Sequence, residues 1–133
     1  MPSRAAESDG KGGRVCTSVV HVDDAARLFL LAAERAEAGE VFNGISDTTI
    51  TFAEMANTIA ALLNLPVHTP IVEEASAQVG PFIANFLTSP CRGSSAKAKQ
   101  VLGWQPREIG LIEDIKTGSY TAVAAELKKA KFS

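Results

Sequence analysis

The chain has 133 residues, 46% of them hydrophobic and 21% charged, with 13 Lys+Arg against 15 Asp+Glu for a net charge of −2. That arithmetic suits one domain with a core of its own, which needs no metal or disulfide staple. Scattered basic residues and 6% aromatics exclude the basic footprint and the stacking platforms of nucleic-acid binding. No apolar run reaches the roughly 18 residues of a membrane span, and the stretch from Met1 to Asp9 lacks the apolar segment of a signal peptide. Cys16 and Cys91 stand alone, without the clustering of a zinc site. They read as reduced thiols of a cytoplasmic protein.

Residues 1–13 are polar, hold Gly10, Gly12 and Gly13, and read as a flexible leader to a domain spanning 14–133. From Val15 to Val22 a β-branched run predicts a strand, after which Asp23 and Asp24 offer an N-cap. Ala25 to Glu37 carries Ala25, Leu28, Phe29 and Ala32 at helical spacing. Leu30 and Leu31 lie off that stripe, so this helix is expected to be apolar nearly all round, with Gly39 closing it. Val41–Ile45 reads as a short strand and Ser46-Asp47 as a polar turn.

Thr51-Phe52-Ala53-Glu54 is a capping box. It opens a helix with Phe52, Met55, Ala56, Ile59, Leu62 and Leu63 on one face, ended by Asn64 and Pro66. Residues 67–72 read as extended, with Pro70 at an edge. A helix from Glu73 to Leu87 is expected to break at Gly80-Pro81. Ser94 or Ser95 caps a short helix, Ala96 to Leu102, stopped by Gly103, and Trp104-Gln105-Pro106 forms a turn. One last helix is expected from Leu111 to Lys129, with Gly118 inside it marking close packing. The result is a small mixed α/β lobe with few short strands and about four helices, lacking a complete Rossmann domain.

Several residues invite a chemical reading. Asp23-Asp24 could form an acid/base pair or part of a metal site, but adjacent residues diverge, and capping plus a solvated first-turn carboxylate explains them. His21 could face a cleft or be a hydrogen-bonded interior histidine. His68 reads as a surface residue. The Gly10-Lys11-Gly12-Gly13 cluster precedes a strand, whereas a phosphate-binding loop must follow one, so it reads as a tether. Arg92, just before the short helix at Ala96, could hold an anion with the helix N–H groups or lie on a solvated loop. A self-sufficient enzyme would need at least two of His21, Asp23, Asp24 and Cys91 to converge in one pocket.

Three segments in order resemble the C-terminal, substrate-binding part of extended short-chain dehydrogenases/reductases, the NAD-dependent epimerase/dehydratase family. They are Val19-Val20-His21-Val22-Asp23-Asp24-Ala25-Ala26, Gly39-Glu40-Val41-Phe42-Asn43 with the helix to Leu63, and Ser95-Ala96-Lys97-Ala98-Lys99-Gln100-Val101-Leu102-Gly103-Trp104-Gln105-Pro106. Ile112-Glu113-Asp114-Ile115 is similar to the family's closing helix. The resemblance implies a substrate lobe over a nicotinamide held elsewhere. The family's glycine-rich dinucleotide turn and its Tyr-x-x-x-Lys pair have no counterpart here, since Tyr120 is followed four residues later by Ala124.

No catalytic, cofactor or metal residue is therefore carried over, and NAD(P) belongs to the parent family, not to this chain alone. Cys16, Thr17 and Ser18 stand where sugar-nucleotide members place an arginine, which points to a smaller carbonyl or hydroxyl substrate. Ser18, His21 and Arg92 are the candidate cleft-lining residues. The resemblance implies a dinucleotide-binding partner domain. The alternative is a non-enzymatic binding or assembly module working as a homodimer, because unpaired apolar helix faces mark association sites.

Overall fold

A computed structural model describes residues 15–67 and 72–132. Strand β1 (Cys16–Val19) leads into α1 (Val22–Arg35), and β2 (Asp47–Thr51) runs directly into α2 (Phe52–Leu63). There follow α3 (Val72–Val79), α4 (Pro81–Thr88), α5 (Ala96–Leu102), α6 (Leu111–Thr117) and α7 (Tyr120–Phe132). The two strands pair antiparallel, with Cys16 opposite Thr51, Thr17 opposite Ile50 and a register shift before Val19 meets Asp47. The lobe is thus mixed α/β, with one two-stranded sheet among the described residues. Among the described residues there are seven helices rather than about four.

The core is built by α1, α5 and the segment after α5. Leu28, Ala98, Leu102 and Trp104 form its centre, with Val20, Leu31, Ala32, Ala36 and Phe42 packed around it. Gly103 adopts φ +67 and turns the chain so that Trp104 folds back beneath α5. There the Trp104 indole N–H donates to the Asp24 carbonyl at 2.9 Å. A buried indole needs such a partner, and α1 supplies it. Ser95 ties the other side, its hydroxyl donating to Ile45 O at 2.6 Å and accepting from Ile45 N at 2.7 Å.

Local signals set several boundaries. Thr51 caps α2, its hydroxyl accepting from Glu54 N at 3.0 Å, and Asn64 ends it at φ 56, ψ 48. Gly80 at φ +88 separates α3 from α4, as the Gly-Pro step requires.

Other boundaries differ from the sequence reading. The first strand stops at Val19, and His21, not Asp23 or Asp24, caps α1 by accepting the Asp23 N–H on Nδ1 at 3.1 Å. The helix ends at Arg35, before Gly39, whose φ of +87 serves the following turn. Val41–Ile45 has no ladder partner. The second strand is instead Asp47–Thr51, rich in β-branched residues, of which Thr51, Ile50 and Asp47 pair with β1. The last helix is two, broken at Gly118, where a Cβ would overlap the Asp114 carboxylate. The leader 1–13, His68 and the Pro70 edge lie outside the described residues.

Candidate functional site

A concavity of about 490 Å³ opens where the end of β1 and the N-terminus of α1 meet the α6–α7 junction. Val19, Val20, Val22, Ile109 and Leu111 give it apolar walls, and His21, Asp23, Ser46, Asp114, Ser119 and Tyr120 give it polar ones. His21 reaches it because the chain turns sharply from β1 into α1. Its capping role engages Nδ1 and leaves Nε2 as the ring's remaining polar atom. Asp23 stands beside it, with Oδ2 at 3.8 Å from Nδ1 and an exposed side chain.

Across the cleft, Asp114 is buried in the first turn of α6. It accepts from Ser119 N at 2.7 Å and from the Ser119 hydroxyl at 2.9 and 3.1 Å. Gly118 lets Ser119 approach so closely, and this contact directs Tyr120 into the cleft wall.

The neighbouring Asp24 has the opposite fate. It is 1% exposed and turned into the core rather than lying solvated in the first turn. Oδ1 accepts from Arg27 at 2.5 Å and from Arg107 N at 2.9 Å, while Oδ2 accepts from Glu108 N at 3.1 Å. Burial pushes this carboxyl up, but the two backbone N–H donors and the Arg27 guanidinium outweigh it and hold it below its ordinary value. Asp24 is thus a structural anchor. On β2, Asp47 is held low chiefly by the Thr49 hydroxyl and backbone N–H, which cap the turn.

Of the three candidate residues, His21 alone lines the cleft. Ser18 is a latch, its hydroxyl donating to Cys91 O at 2.8 Å and accepting from Gly93 N at 3.0 Å, while Cys91 N donates to Cys16 O at 3.1 Å. Arg92 is exposed on the loop so held. Of the four possible reacting groups, His21 and Asp23 come together. Asp24 is buried and Cys91 lies on the Ser18 loop.

His21, Asp23 and Glu108 bring three donor atoms within 4.8 Å of one another. Glu108 is nevertheless paired with Arg27 at 2.7 Å and His21 Nδ1 already holds an N–H, so the grouping carries no metal assignment. Sequence reasoning missed Asp114, Ser119 and Tyr120. Gly118 was the available signal, because a glycine in a helical pattern close to Asp and Ser marks a close approach.

No protein-family profile matches the chain. No solved structure matches it significantly. It is similar to an uncharacterized protein of Saccharomyces cerevisiae, 36% identical over 116 residues that cover 84% of this chain and 39% of the relative. It is also similar to an uncharacterized protein of Schizosaccharomyces pombe, 35% identical over 108 residues that cover 81% of this chain and 36% of the relative. The chain thus spans under two fifths of the length of the curated relatives it matches. No helix among the described residues is long and apolar enough to cross a membrane.

Proposed function

We propose that this chain is the substrate-side lobe of an enzyme resembling the extended short-chain dehydrogenases/reductases. It shapes a cleft whose dinucleotide and reacting groups come from a partner domain. One observation carries this reading: the three family-like segments interlock. Trp104 of the third donates to the Asp24 carbonyl of the first, whose carboxylate holds Arg107 N and Glu108 N. Phe42 of the second packs on the same core, and Lys97 of the third donates to Val41 O at 3.0 Å and stands 4.6 Å over the Phe42 ring. Residues that match a family for architectural reasons should meet in this way, whereas chance matches have no reason to. The cleft at the end of the first segment is then the substrate side.

The longer relatives supply the test. The full-length Saccharomyces cerevisiae protein is expected to bind NADH or NADPH saturably by nicotinamide fluorescence. Deleting the segment that matches this chain should leave that binding in place and abolish turnover. Absence of dinucleotide binding by the full-length relative up to millimolar cofactor would overturn the proposal.

A further inference from the structure

The cleft has a second chamber. A groove of about 180 Å³ between α2, α6 and α7 is lined by Met55, Ile59, Leu63, Ile115, Val123 and Leu127, and no charged residue lines it. Leu111 and Tyr120 belong to both cavities, so the polar cleft and the apolar groove adjoin across those two side chains. The ionisable groups facing the polar end are His21, Asp23, Asp114 and Tyr120, with no Lys or Arg among them. Arg27, a nearby cation, is held between Asp24 and Glu108. The N-terminus of α1, which would otherwise attract an anion, already has His21 Nδ1 as acceptor for the Asp23 N–H and carries Asp23 and Asp24 in its first turn.

We infer that the combined site takes an amphipathic, non-anionic ligand. An uncharged carbonyl or hydroxyl head would sit at His21 and Asp23, and an aliphatic or aryl tail would pass Leu111 and Tyr120 into the groove. This deepens the substrate-lobe reading and rests on it for the ligand's being a substrate. The tail loses water against aliphatic side chains, which favours binding in proportion to the apolar area covered. A carboxylate or phosphate head would face the Asp23 and Asp114 carboxylates with no Lys or Arg among the lining residues to compensate them. His21 Nε2 and the Tyr120 hydroxyl supply the hydrogen-bonding atoms for a neutral head.

The test is methyl and aromatic NMR of the full 133-residue chain at neutral pH, titrated with methyl hexyl ketone, octanoate and acetone. Methyl hexyl ketone should shift the Leu111 and Leu127 methyls and the His21 ring together, saturably, and about tenfold more tightly than octanoate or acetone. Leu127→Gln, at an exposed position, should weaken the ketone. Asp23→Lys should close the gap between ketone and octanoate.

Equal or tighter octanoate binding would overturn the inference, as would shifts confined to Leu127 without His21, or no saturable shift with any probe. Dinucleotide binding by the full-length yeast relative is read out separately. Its failure would remove the substrate-lobe reading while leaving the ligand class measured here intact.

Discussion

The two sides of this lobe are built to different standards. Around α1 and α5, Ala98, Leu102, Trp104 and Asp24 are essentially sealed from water, and among the described residues Arg27 Nε is the one buried side-chain polar atom without a hydrogen-bond partner. Around α2, α3 and α4 the chain has the same apolar composition but little enclosure. Helix α2 has no buried residue, and Phe82 in α4 is 80% exposed. Phe86 meets Phe52 edge-on at 6.3 Å between ring centroids, yet stays largely in water. Apolar residues alone therefore do not make a core. The sealed side has a tryptophan and a carboxylate that converge from positions far apart in sequence, and the open side has no such convergence.

Substitutions at matched apolar positions sharpen that contrast most. Trp104→Ala should cost about 3–5 kcal/mol by urea unfolding, since it removes a buried ring together with its indole bond to the Asp24 carbonyl. Phe82→Ala should stay within about 0.5 kcal/mol of the parent. Comparable losses at both positions would erase the distinction between the two sides.

Next comes Asp24→Asn, expected to cost about 2–3 kcal/mol, because charge-assisted bonds to Arg27 and to two backbone N–H groups weaken together. The sign of its pH dependence is fixed. The folded carboxyl titrates below its ordinary value of 3.8, so its contribution is present above that value and is lost as pH falls through the lower, folded one. Asp47 is depressed as well and adds to the same acid limb. Asp24→Asn should therefore flatten the acid limb of the stability curve without removing it. An unchanged slope would show that Asp24 is not the anchor.

What was legible in the sequence follows the range of the forces involved. The Thr51 cap, the left-handed Asn64 and the Gly80-Pro81 break each act within a few residues, so their signatures lie in adjacent letters. Asp24 reads as a solvated first-turn carboxylate because Arg107 and Glu108, whose backbone N–H groups hold it, are more than eighty positions away. Strand β2 was obscured because Asp47 and the threonines that follow it resemble turn and cap residues until β1 is laid beside them. The split of α6 from α7 depends on Asp114 and Ser119 crowding Gly118, a fit that helical periodicity does not report. His21 was singled out among the site residues, while its neighbours across the cleft arrive from the far end of the chain.

The cap at the cleft mouth predicts a smaller effect. His21→Ala should cost about 1 kcal/mol through loss of the α1 cap, and His21→Ser should recover most of it, since a hydroxyl can accept the Asp23 N–H. Failure of Ser to rescue would mean that the imidazole contributes through packing against the cleft wall.

The smallest stability effect is expected on the outer face of α1. Val22, Ala26, Phe29, Leu30 and Ala33 recur at helical spacing on the exposed side, with Phe29 78% exposed, while Leu28 on the opposite side enters the core. Phe29→Ser should change stability by no more than about 0.5 kcal/mol, because the ring is in water in both the folded and the unfolded chain. Its effect belongs in association. If that face is covered by another chain, sedimentation of the parent protein should show self-association at micromolar concentration, and Phe29→Ser should reduce it. A monodisperse monomer at micromolar concentration would remove the homodimer as the cover and leave a partner domain as the reason for a helix that is apolar on both sides.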